Sequence, residues 1–248
     1  MSTKVEKIDT LMTRRTIMSD EVQKLFACKQ DSSASISAYY EAVVTDNCLL
    51  KSSMSSRKLT FSYLKNMYAL DIEKPVFRVF RRLWTADKTI NGLLCLQYAC
   101  LVDSVLKKSV SYFLSKPVNS LLTTEDTYNW VIQNYPGRFS KTSATTIAKD
   151  LNSSWYQGHF FRGTRPRIRI KPAIAKENVV FALFLAYLAG YRGMLLLDNE
   201  FTTFLELPPN EILAFTESAA KCGLLTLHHL GDVLEIQFQL NQSAGGGL

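Results

Sequence analysis

The stretch Arg138–Pro172, RFSKTSATTIAKDLNSSWYQGHFFRGTRPRIRIKP, joins a helix with a single apolar stripe to a strand that alternates cation and apolar residue. Ser140 is placed to cap the helix, and Ala144, Ile147, Ala148, Leu151 and Trp155 recur at steps of three and four, so they share one face. The opposite face carries Thr142, Thr146, Lys149 and Ser153, short hydroxyls and one cation able to approach phosphates and base edges without bulk. After Gly158 the chain alternates, with Arg165, Arg167, Arg169 and Lys171 expected on an exposed side and Pro166, Ile168 and Ile170 on a packed side. A polar-faced helix followed by a basic hairpin is the order of a winged helix-turn-helix.

Charge points to the same place. Between Arg138 and Lys171 the cations Arg138, Lys141, Lys149, Arg162, Arg165, Arg167, Arg169 and Lys171 meet one acid, Asp150, a local balance of +7 that equals the net charge of the whole chain. From Asp198 to Leu240 seven acids face only Lys221, so the basic character is confined to one region. A local cationic surface is what a polyanion recognises, although arginines also keep edge strands soluble. The expected DNA-contacting set is those eight cations together with Thr142, Thr146 and Ser153.

Working outward, Met1–Ser35 is a polar head with one short helix from Ser19 to Lys29, and DSSAS at Asp31–Ser35 reads as a linker. Helices then follow on Ile36, Tyr40, Val43 and Val44, from Ser55 or Ser56 to about Leu70, and from Pro75 to Trp84 with Arg78, Arg81 and Arg82 facing out. A long apolar helix or helix pair spans Ile90–Leu114, and a helix from Thr124 or its neighbour runs to Tyr135 before the Pro136–Gly137 turn. Beyond Pro172, Glu177–Ala189 is apolar on most faces and must be central. A further helix after Pro208–Pro209 buries Ile212, Phe215, Ala219 and Cys222, and strands at Leu224–His229 and Val233–Leu240 follow it. This second helix and hairpin carry Glu211 and Glu217, which repel phosphate, so they read as a packing or protein-binding unit.

The expected fold is therefore mainly α. It comprises a polar head (1–35), an N-terminal helical bundle (36–120), a central winged helix-turn-helix (121–175), a C-terminal helical, winged-helix-like unit with a short β-hairpin (176–241) and a disordered tail (242–248).

The longest apolar run, Val179–Gly190, falls short of the roughly 18 to 20 residues that a bilayer span needs, and Met1–Ile8 lacks the apolar core of a signal peptide. Five cysteines without paired spacing fit reduced thiols in cytoplasm. No phosphate-binding glycine loop, nucleophile elbow or zinc spacing occurs; His228 and His229 diverge on a strand, and Asp198 and Glu200 lack the lysine a nuclease site would add. The expectation is no catalytic residue, no metal, no cofactor and no small-molecule substrate.

DNCLLKSSMSSRKLTFSYLKNMYAL from Asp46, FSKTSATTIAKDLNSSWYQGHF from Phe139, RPRIRIKP, FALFLAYLAGYRG and the block from Glu211 to Phe238 ending in GDVLEIQF resemble the BrxA proteins of bacterial phage-exclusion (BREX) loci. The resemblance covers about four fifths of the chain, everything after the polar head. It implies a small cytoplasmic protein that binds double-stranded DNA beside other BREX components, and it carries over no catalytic residue. The helical N-terminal part of that family resembles the RNA-binding antitermination factor NusB. The alternative is a protein–protein scaffold of the defence complex, in which the winged helix docks an acidic protein surface and nucleic-acid binding, including RNA, is secondary.

Overall fold

Helix α5 (Lys88–Val102) is buried at every residue from Asn91 to Cys100, and it touches five of the helices described below. The computed structural model describes residues 10–231 and 233–238 of the chain. Within them the protein is mainly helical with two small antiparallel sheets. The order is α1 (Ser19–Cys28), α2 (Ile36–Tyr40), α3 (Met54–Tyr68), α4 (Pro75–Arg82), α5, α6 (Ser104–Leu114), β1 (Leu121–Leu122), α7 (Thr124–Asn134) and α8 (Lys141–Gln157). Then come β2 (Phe161–Arg162), β3 (Arg167–Arg169), α9 (Lys176–Leu188), α10 (Pro209–Lys221), β4 (Thr226–Leu230) and β5 (Val233–Gln237). The tail at 242–248 lies outside the described residues.

The apolar run before Pro117 is a helix pair, and Asp103 is the reason. Its carboxylate is 1% exposed; Oδ1 accepts from the Val105 and Leu106 amides at 3.0 and 2.8 Å, which caps α6. Oδ2 accepts from the Thr10 hydroxyl at 2.8 Å and from the Leu11 and Met12 amides at 2.6 and 3.3 Å. One side chain thus starts a helix and docks a segment more than ninety residues away.

That segment belongs to the core. Met12, Ile17, Val22, Leu25 and Phe26 are buried, and the Tyr68 hydroxyl donates to the Ile17 carbonyl. The expected outward face of α4 is corrected at Arg81, which is 7% exposed. Its Nη2 donates to the Lys29 and Gln30 carbonyls at 2.9 and 2.8 Å, and its guanidinium lies 4.5 Å from the Phe26 ring centre. It closes the open end of α1, where carbonyls have no intrahelical partner. In the helix that begins at Ile36, a π-turn over Glu41–Thr45 follows α2, and Tyr39 is buried where Tyr40 was expected.

Helix α9 packs against α5 and is buried from Asn178 to Ala186, as its unbroken apolarity predicts. In α10, Ile212, Thr216 and Ala219 are buried, whereas Cys222 is exposed because the helix ends there and Gly223 turns the chain at φ +69°. β4 and β5 pair from Thr226↔Gln237 to Leu230↔Val233.

Candidate nucleic-acid interface

α8 is built as its sequence pattern dictates. The Ser140 hydroxyl accepts from the Ser143 amide at 3.1 Å, and Ala144, Ile147, Ala148, Leu151 and Trp155 are all buried. Trp155 anchors the helix: its ring stacks on Phe113 at 4.7 Å, meets Phe160 edge-on at 4.8 Å, and its Nε1–H donates to the Ser109 hydroxyl at 3.0 Å. Helix α7 lies against α8, capped by Thr123, and the turn between them passes through Gly137 at φ +66°. Asn152 is consumed in this packing, bonding the Thr127 hydroxyl at 2.7 Å and the Thr123 carbonyl at 3.3 Å.

The hairpin after α8 forms a three-stranded sheet in the order β1-β3-β2, with Leu121↔Ile168 on one side of the central strand and Arg162↔Ile168 on the other. Gly163 turns the hairpin at φ +75°, and a Cβ there would come within 2.7 Å of the Pro166 carbonyl oxygen.

Arg138, Lys141, Thr142, Lys149, Arg162, Arg165 and Lys171 are exposed; Thr146, Ser153 and Arg167 are half-buried. Arg167 lies back onto α8, its Nη2 donating to the Ser153 hydroxyl at 3.2 Å and its guanidinium 5.1 Å from the Tyr156 ring centre. Hairpin and helix therefore present one continuous surface.

Arg169 corrects the expected exposed row of arginines. It is 0% exposed, paired with Glu206 at 2.6 Å, and its guanidinium sits 5.0 Å from the Phe160 ring centre. The alternation along β3 is real, but the side shared by Arg167 and Arg169 is turned inward onto α8 and the loop before α10. Ile168 and Ile170, expected to be packed, are half-buried.

Two residues of this surface escaped the sequence reading. Thr145 lies one turn from Thr142 and from Lys149, and Tyr156 supplies the ring under Arg167; the three- and four-residue spacing that found Thr146 could also have found Thr145. The Thr145 hydroxyl donates to the Lys141 carbonyl at 2.8 Å and the Thr146 hydroxyl to the Thr142 carbonyl at 3.1 Å. Asp150 is the one acid of α8 and is half-buried; burial pushes its carboxyl up to about 6, and the positive charge of Arg15 pulls the other way.

Among the described residues no three His, Cys, Asp or Glu side chains gather as a metal site would require, and no helix is long and apolar enough to cross a membrane. Glu200 accepts from the Tyr191 hydroxyl at 2.6 Å, and His228 and His229 are exposed on β4. A cleft of about 350 Å³ opens beside the base of the hairpin, lined by Lys88, Gln157, His159 and Arg162.

Comparison with protein-family models, with curated proteins and with solved structures returns no match. The functional reading therefore rests on the geometry above and on the sequence resemblance.

Proposed function

We propose that the protein is a non-enzymatic, double-stranded DNA-binding component of a bacterial phage-defence system of the BREX type, and that residues 121–175 are a winged helix. In this reading α8 is the recognition helix in the major groove, and the β2–β3 hairpin is the wing that lies on the backbone or in the minor groove. The order β1, α7, α8, β2, β3 with a β1-β3-β2 sheet supports it. The observation that carries it is the Arg167–Ser153 contact, because it joins the wing to the outer face of α8 in one cationic surface. Lys141, Lys149, Arg138, Arg162, Arg165 and Lys171 supply the phosphate contacts, with Arg167 at the seam; Arg169 holds the wing in place. The BREX assignment rests on the sequence resemblance, as do a cytoplasmic location and partnership with other components of the system.

A second reading, a scaffold that binds protein, draws on the other hairpin. Leu230 and Val233 at its tip are 84% and 70% exposed, on the hairpin that follows α10 with its Glu211 and Glu217. Titration of the protein against duplex DNA, single-stranded DNA and RNA by fluorescence anisotropy at several salt concentrations separates the two. Duplex binding that weakens steeply with salt is expected. Weak, salt-insensitive association with every nucleic acid would discard the first reading in favour of the scaffold.

A further inference from the structure

The outer face of α8 is unusual for what it withholds. Side chains that read bases through two hydrogen bonds at once are arginine or lysine for guanine, and asparagine or glutamine for adenine. α8 contains no arginine. Its asparagine, Asn152, is buried and bonded to Thr123 and Thr127. Its glutamine, Gln157, is bonded at both ends: Oε1 accepts from the Ser19 amide at 2.9 Å and Nε2 donates to the Thr16 hydroxyl at 3.0 Å. What remains outward is Thr142, Thr145, Thr146 and Ser153, Tyr156 under the Arg167 guanidinium, and Lys141 and Lys149, which the reading above places on phosphates.

The threonines are restricted further. A hydroxyl has one hydrogen to donate, and at Thr145 and Thr146 it is committed to the helix carbonyls of Lys141 and Thr142. Each of these side chains therefore offers a methyl group and oxygen lone pairs, and no free donor. In the major groove a methyl group finds its apolar partner at the thymine C5-methyl, and a lone pair accepts from the adenine N6 amine. An A·T pair supplies both partners. A G·C pair offers the cytosine amine, but its guanine acceptors meet no donor from these threonines.

Resting on the DNA-binding reading above, we infer that α8 selects A·T-rich sequence, with Thr145 and Thr146 as the specificity-determining residues through contact with thymine methyl groups. Arg165 at the exposed tip of the hairpin works in the same direction, because the narrow minor groove of A·T-rich tracts attracts an inserted arginine.

The test begins with selection of bound sequences from a randomised duplex pool, where enrichment of A·T-rich sequence is expected. The selected duplex is then remade with deoxyuridine for thymidine, which removes the methyl and keeps every Watson–Crick bond. Wild-type protein should bind it about fourfold more weakly per contacted thymine, the equivalent of one buried methyl group. Thr145→Ser with Thr146→Ser, which keeps the hydroxyls and deletes the methyls, should bind both duplexes alike. Thr145→Val with Thr146→Val, which keeps a methyl, should still discriminate. Selection of G·C-rich sequence, or equal binding of the thymidine and deoxyuridine duplexes by the wild type, overturns the inference while leaving DNA binding standing. Failure to bind any duplex overturns the underlying reading and this inference with it.

Discussion

Arg169 donates to Glu206 across 2.6 Å, joining the central strand of the three-stranded sheet to the loop that precedes α10. The arginine is fully buried and the Glu206 side chain is 18% exposed, so the pair sits at the margin of the core. Removing one partner of a buried pair strands the other charge, which costs about 3–5 kcal/mol. Arg169→Ala should therefore lower unfolding stability by an amount in that range, measured by urea denaturation, whereas the exposed Arg165→Ala should fall within about 0.5 kcal/mol of wild type. Equal stability of the two variants would refute the structural role of Arg169.

The exposed cations should behave in the opposite way. Replacing Arg162, Arg165 and Lys171, all exposed, together with alanine leaves the core untouched and removes up to three of the proposed phosphate contacts. The log–log dependence of affinity on salt should become shallower by up to roughly 2.7, at about 0.9 per contact. Affinity should drop for every duplex sequence, since backbone contacts position without specifying. An unchanged slope in a folded triple variant would move the DNA surface away from the wing.

Asp103 holds five donors from two distant parts of the chain. Asp103→Ala removes the cap of α6 and leaves the Leu11 amide, which donates to Oδ2 at 2.6 Å, without its acceptor, at a combined cost of about 2 kcal/mol. Hydrogen exchange should show the Leu11 and Met12 amides opening more than those of α9. If they stay as protected as in the wild type, the docking of this segment does not depend on Asp103.

Asp150 makes stability depend on pH. Its folded carboxyl titrates near 6, above the ordinary aspartate value of 3.8, so the folded state holds this proton more tightly than the unfolded chain. The stabilising contribution of the protonated form is complete below about 3.8 and is lost as pH rises through about 6. Asp150→Asn, uncharged at all pH, should therefore raise the melting temperature at pH 7.5 by more than at pH 4. It should also tighten duplex binding above pH 6 by removing the one negative charge of α8. A gain in melting temperature that is the same at both pH values would argue against this titration.

α8 was legible from sequence because everything that makes it a helix is local. A serine cap, apolar residues at three- and four-residue steps and a glycine after the last turn act within a few residues of one another. The same holds for Pro75 at the start of α4 and for the unbroken apolar run of α9, which can only be buried. The basic hairpin was legible as a hairpin, since alternation and Gly163 are also local.

Which arginine meets solvent was not legible, because the answer lies with partners distant in the chain. Arg169 is buried by Glu206, 37 positions away, and Arg81 by carbonyls of Lys29 and Gln30 some fifty positions earlier. Alternation states that Arg167 and Arg169 share a side of their strand; only packing determines that this side is the inner one. Asp103 shows the same division. One half of its carboxylate caps α6 on the amides of Val105 and Leu106, two and three residues along the chain, while the other half is occupied by Thr10, Leu11 and Met12, which chain folding alone brings to it. Short-range hydrogen bonds and periodicity are properties of the sequence, whereas the burial of a charge is a property of everything that surrounds it.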